Sequence, residues 1–122
     1  MAKRFTNSVK WHRKWLRSLS DKDKIFWFFI NDDCDHAGVW DVDWDNAKYF
    51  TGHDYDYKTV INAFGDKLIE TYDPNFWFVT TFPEFQYGIH LNTKNRTHLS
   101  VIEILKKYDL LQYTDLIIKD NR

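Results

Sequence analysis

Six consecutive apolar side chains, Ile25, Phe26, Trp27, Phe28, Phe29 and Ile30, set the first strong pattern of the chain. Ser20 precedes Asp23 by three residues, a capping-box spacing, so a helix is predicted from about residue 21 to 34, buried on most sides. Gly38 supplies a permissive backbone at its exit. Beyond it Trp40, Val42 and Trp44 alternate with Asp41 and Asp43, which predicts a half-buried strand over residues 39–44. Phe50-Thr-Gly52 can end a second helix, and Asp56 can cap a third that stops at Gly65. On that third helix Tyr57, Val60, Ile61 and Phe64 form the inner stripe and leave Lys58, Thr59 and Asn62 outward. Residues 68–72 and 76–81 read as two strands flanking the turn at Asp73, Pro74 and Asn75, with Pro83 just past the second. Val101, Ile102, Leu105 and Tyr108 then mark a last amphipathic helix, opened by Thr97 or His98 and followed by a tail.

The order is helix, short strand, two helices, two strands. It predicts an α+β domain: a winged helix-turn-helix with a small three-stranded antiparallel sheet over residues 20–111, plus an extra C-terminal helix. Residues 1–19 read as a basic, aromatic arm, where Trp11, Trp15 and Leu19 recur every four residues and pack onto the domain. Residues 112–122 are the expected tail. No linker, repeat or low-complexity tract interrupts the chain, and 122 residues suit one domain.

Composition narrows the setting. A single cysteine forms no internal disulfide, and no apolar stretch follows the basic start, which favours a reducing cytoplasm over secretion. The longest apolar run is six residues, against the roughly 20 that a bilayer span needs, so no membrane role is expected. Aromatics make up 19% of the chain; most of these rings are expected in the core, although interfaces and base-stacking platforms use the same side chains.

Net charge is −1 but unevenly spread. Residues 1–20 hold six basic side chains and no acid, residues 21–90 hold five Lys against fourteen Asp and Glu, and residues 91–122 hold six basic against four acidic. A chain that gripped phosphates with its whole surface would not carry that acidic middle, so nucleic-acid contacts are expected from the two ends.

Candidate catalytic and metal chemistry fails on spacing. Asp41, Asp43 and Asp45 begin like a calcium loop, but the sixth position is Asn46 rather than Gly and the twelfth is Gly52 rather than Glu. Asp33, Cys34, Asp35 and His36 are adjacent, and neighbours in sequence do not readily wrap one metal or form a catalytic pair; they read as a turn whose side chains bond local backbone. Four scattered glycines make no phosphate loop. No enzyme activity, metal or cofactor is expected.

Binding chemistry is better supplied. In the expected fold the third helix presents Lys58, Thr59 and Asn62 to base edges in the major groove, and Asn75 sits at the wing tip. Lys94, Asn95, Arg96 and His98 precede the last helix, where side chains and free amides together favour an anion such as phosphate. Arg13 and Arg17 add charge from the arm.

Six segments carry a resemblance in order: Met1-Ala-Lys-Arg-Phe-Thr6, Trp15-Leu-Arg-Ser-Leu-Ser20, Asp33-Cys-Asp-His-Ala-Gly-Val-Trp40, Phe64-Gly-Asp-Lys-Leu-Ile69, Phe82-Pro-Glu-Phe-Gln-Tyr-Gly88 and Leu91-Asn-Thr-Lys-Asn-Arg-Thr-His-Leu-Ser-Val-Ile102. Together they resemble the N-terminal winged-helix domain of phage and prophage replication-initiator proteins over about residues 1–111. The resemblance implies a phage-derived protein in the bacterial cytoplasm whose domain engages double-stranded DNA at an origin, with a further C-terminal region supporting replisome loading. Where relatives are expected to read Asn-Pro-x-Asn, this chain has Asn92-Thr-Lys-Asn95, and it ends soon after the last helix at Arg122. Taken as a whole gene product, it lacks the loading region.

Two readings of different class follow. One is a DNA-binding module gripping duplex through the third helix, the wing and the basic ends. The other is a small phage-encoded inhibitor, anti-CRISPR-like, that binds a host replication or CRISPR nucleoprotein through Asp41, Asp43, Asp45 and exposed aromatics. Self-association through the last helix or the aromatic arm is compatible with either.

Overall fold

The computed structural model describes residues 14–120. A one-turn helix α1 (Lys14–Arg17) leads into α2 (Asp21–Asp33). Ser20 Oγ accepts the Asp23 amide at 3.2 Å, and Asp21 and Asp23 place negative charge in the first turn, where the helix dipole favours it. Phe26, Trp27 and Ile30 are buried, Phe28 and Phe29 are half-buried, and Ile25 is 41% exposed. At 3.6 residues per turn six consecutive side chains point all round the helix, and five of them are buried or half-buried, with Phe28 and Phe29 packing against the core and Ile25 open to solvent.

Gly38 ends the turn after α2 with φ +96°, and a Cβ built there would lie 2.8 Å from Phe82 Cβ. The turn itself is organised by Asp35, whose Oδ1 accepts the amides of Ala37 and Val39 at 2.8 and 2.9 Å. Strand β1 covers Val39–Asp41 and is shorter than expected. Asp43 caps the next helix, α3 (Trp44–Thr51), by accepting the Asn46 amide at 2.9 Å, so the chain leaves the strand before Trp44. Helix α3 ends at Gly52 in the left-handed conformation, and Asp56 caps α4 (Tyr57–Phe64) by accepting the Thr59 amide.

A turn of 3-10 helix (Gly65–Lys67) leads to β2 (Leu68–Glu70), which pairs antiparallel with β3 (Phe76–Val79). Strand β1 pairs with the other side of β3, giving a three-stranded antiparallel sheet in the order β1-β3-β2. Strand β3 stops at Val79 rather than continuing to residue 81. Pro83 instead sits in the first turn of an unexpected helix, α5 (Phe82–Tyr87), where its missing amide costs nothing.

Strand β4 (His90–Asn92) precedes α6 (Arg96–Lys107), and β5 (Ile117–Lys119) returns from the expected tail to pair parallel with β4. The sheet stands between two cores, as the period of two requires. Trp40, Leu68, Trp77 and Val79 face one cluster with Phe26, Trp27 and Phe64 from the helices. Val39 and Phe78 face the other, with Leu91, Val101, Ile102 and Leu105. Helix α6 therefore covers the sheet face opposite α2, α3 and α4. Leu16 of α1 is buried in the first cluster, and Trp15 and Leu19 pack against it, Trp15 meeting Trp27 edge-on at 5.0 Å. Among the described residues no helix is long and apolar enough to cross a membrane.

Candidate nucleic-acid interface

Helix α4 buries Val60 and Phe64, the latter stacked on Trp27 at 5.1 Å, and so fixes which face turns outward. Lys58, Thr59 and Asn62 are all exposed, and the four-residue step from Lys58 to Asn62 puts both on one side. Thr59 is partly engaged, since its hydroxyl donates to the Asp56 carboxylate at 2.9 Å. Tyr57, expected on the inner stripe, is 43% exposed; its hydroxyl donates to Glu70 and its ring meets Trp77, tying the start of α4 to β2 and β3.

Asn75 lies at the end of the β2–β3 connection with its side chain exposed. Its amide donates to Asp73 Oδ1 at 3.0 Å and its carbonyl accepts the Val42 amide at 2.9 Å, so the hairpin tip is fixed to the segment following β1.

The cluster at α6 is arranged differently from expectation. Asn95, not Thr97 or His98, is the cap: its Oδ1 accepts the His98 amide at 3.1 Å, and Arg96 and His98 belong to the first turn itself. His98 Nδ1 accepts the Asn92 amide at 3.1 Å, and Asn92 Oδ1 accepts the Lys94 amide at 2.9 Å. Asn95 and His98 thus hold the turn together, a role Asn favours at a helix start. Lys94 and Arg96 keep exposed side chains, and Arg17 is exposed on α1. Arg13 and Trp11 lie outside the described residues.

Asp41, Asp43 and Asp45 are exposed and converge with Asp33, Val42, Trp44 and Asn46 around one shallow depression. Asp33 Oδ2 accepts the Trp40 indole N–H at 2.9 Å, and Asp43 is the α3 cap, so two of the four carboxylates also have structural roles. One turn further along α3, Tyr49 and Phe50 are 79% and 67% exposed and meet edge-to-face at 4.9 Å. They follow Asp45 and Asn46 by four residues, so α3 presents one continuous face from carboxylate to aromatic ring. Sequence reasoning did not single out this pair; the signal available was two adjacent aromatics on a helix whose only buried residue is Ala47.

Cys34 is buried, and His36 Nε2 lies 2.7 Å from Ser100 Oγ, tying the turn after α2 to α6 rather than to local backbone. Tyr55 donates its hydroxyl to the Lys22 carbonyl at 2.8 Å, and burial, helped by the negative charge of Asp23, raises its pKa above the ordinary tyrosine value despite an opposing hydrogen bond with Thr51. Against known proteins, the chain matches no family model, no curated protein and no solved structure.

Proposed function

We propose that the chain is a winged-helix nucleic-acid-binding module that engages double-stranded DNA, related to phage replication initiators and working in the bacterial cytoplasm. The observation that carries the reading is topological. A helix, a strand, two helices and a hairpin, closed by a sheet in the order β1-β3-β2, leave the Lys58, Thr59 and Asn62 face of α4 uncovered with the β2–β3 hairpin following it. In this reading α4 enters the major groove and the hairpin is the wing. Asn62 would pair with an adenine edge and Lys58 with a guanine edge, while Lys94, Arg96, Arg17 and Arg13 contact phosphates and position the domain. Asn95 and His98 act through the turn they hold.

Selection from a randomised duplex pool tests the reading. The wild-type chain should enrich a motif; Lys58→Ala with Asn62→Ala should enrich none while keeping salt-sensitive binding, since each good base contact is worth about 1–3 kcal/mol of discrimination. The same motif enriched by both proteins would overturn the assignment of α4.

A second reading has its own observation on α3, where Asp45, which lines one depression with Asp41 and Asp43, is followed one turn later by exposed Tyr49 and Phe50. A cluster of carboxylates followed on the same helix by exposed aromatic rings suits a basic protein groove. On this reading the chain is a phage-encoded inhibitor of a host replication or CRISPR nucleoprotein.

A further inference from the structure

The hairpin has two chemically different sides. On one, the Asn75 carbonyl accepts the Val42 amide, which brings the segment holding Asp41 and Asp43 against the tip. On the other, the Tyr72 hydroxyl donates to the Lys107 carbonyl at 3.2 Å. The Tyr72 ring lies 5.8 Å from that of Tyr108, and Tyr108 in turn lies 5.5 Å from Phe76. These contacts dock the C-terminal end of α6 on the hairpin and bring Lys106 and Lys107 beside it.

Both lysines are exposed, and Lys107 Nζ stands 5.2 Å over the Tyr108 ring. Neither makes an ion pair among the described residues. Of the nearby acids, Asp73 accepts the Asn75 amide and Asp109 accepts the Gln112 side-chain amide at 3.0 Å, while exposed Glu103 lies one turn before both lysines on α6 and makes no ion pair with either. Tyr72 is itself 69% exposed, an amphipathic ring at the tip of a hairpin that its contact with α6 holds in place.

We infer that Lys106 and Lys107 grip the phosphate backbone of a bound duplex on the α6 side of the hairpin, an inference that rests on the nucleic-acid reading above. Lysines in the last turn of a helix also offset its dipole, but that role affects stability alone. A phosphate contact has a separate signature, because each neutralised phosphate contributes roughly 0.9 to the slope of log K against log salt. The contact carries no base information, so the loss should be uniform across sequences.

The experiment is duplex binding by the full chain across a salt series, with Lys106→Gln/Lys107→Gln, Lys106→Arg/Lys107→Arg and Tyr72→Ala. The Gln pair should lower the magnitude of the slope by about 2 relative to wild type. The Arg pair should restore it, and Tyr72→Ala, which removes the Tyr72 contacts with Lys107 and Tyr108 but leaves Phe76 against Tyr108 and both charges in place, should keep most of it. An unchanged slope in the Gln pair, with wild type binding steeply, overturns this contact and leaves the reading of α4 standing. Wild type that binds no duplex at any salt overturns both.

Discussion

Single residues decide the turns of this fold. Gly38 meets two requirements at once, a positive φ and a contact with Phe82 too close for any side chain. Gly38→Ala should therefore cost roughly 2–4 kcal/mol, combining backbone strain with overpacking, while Gly52→Ala, with nothing within 4 Å of its Cβ, should cost only about 1 kcal/mol. Denaturant midpoints compare the two; equal losses would show that the Phe82 contact is irrelevant. Asp43 carries the α3 cap as well as surface charge, so Asp43→Ala should lose about 1 kcal/mol and Asp43→Asn little of it. Tyr55 gives a pH dependence of known sign. Its folded pKa is raised, so its contribution is complete below the unfolded value near 10 and is lost as pH rises through the folded value. The alkaline fall in melting temperature should be shallower in Tyr55→Phe.

At the scale of elements, caps and breakers were readable where they act locally. Ser20, Gly52, Asp56 and Gly65 each bound the helix their chemistry predicts, because the bonds involved span only three or four residues. The apolar run Phe76 to Val79 likewise reads as a strand, and its burial on both faces explains why it does not alternate. What escaped depends on distant partners. Ile117, Ile118 and Lys119 show no alternation, and only pairing with His90, Leu91 and Asn92 makes them a strand. Pro83 reads from sequence as a residue just past a strand, and the helix it opens depends on Phe82 finding its place against Gly38. The candidate site was legible as residue types on α4, but not at α6, where Asn92, Asn95 and His98 are engaged with one another. Lys94→Ala with Arg96→Ala should weaken duplex binding about equally for all sequences without moving stability by more than about 0.5 kcal/mol. Unchanged affinity would remove that end of α6 from the interface.

For the whole molecule, charge distribution separates the two functional classes. The acidic middle of the sequence is gathered in part on the β1–α3 segment, where Lys48 is the one exposed base of α3 and pairs with Asp54, while further exposed basic residues stand on α1, on α4, on β5 and at both ends of α6. Reversing Asp41 and Asp45 to Lys, with Asp43→Asn to keep the cap, should strengthen DNA binding and weaken binding to a basic protein groove. The central claim is tested most directly by fluorescence anisotropy of the purified chain against labelled duplex DNA, single-stranded DNA and structured RNA at roughly 50 and 200 mM salt. Tight binding to duplex with a steep loss at the higher salt is the predicted result. No binding to any of the three at either salt would contradict it and move the search to a protein partner of the α3 face.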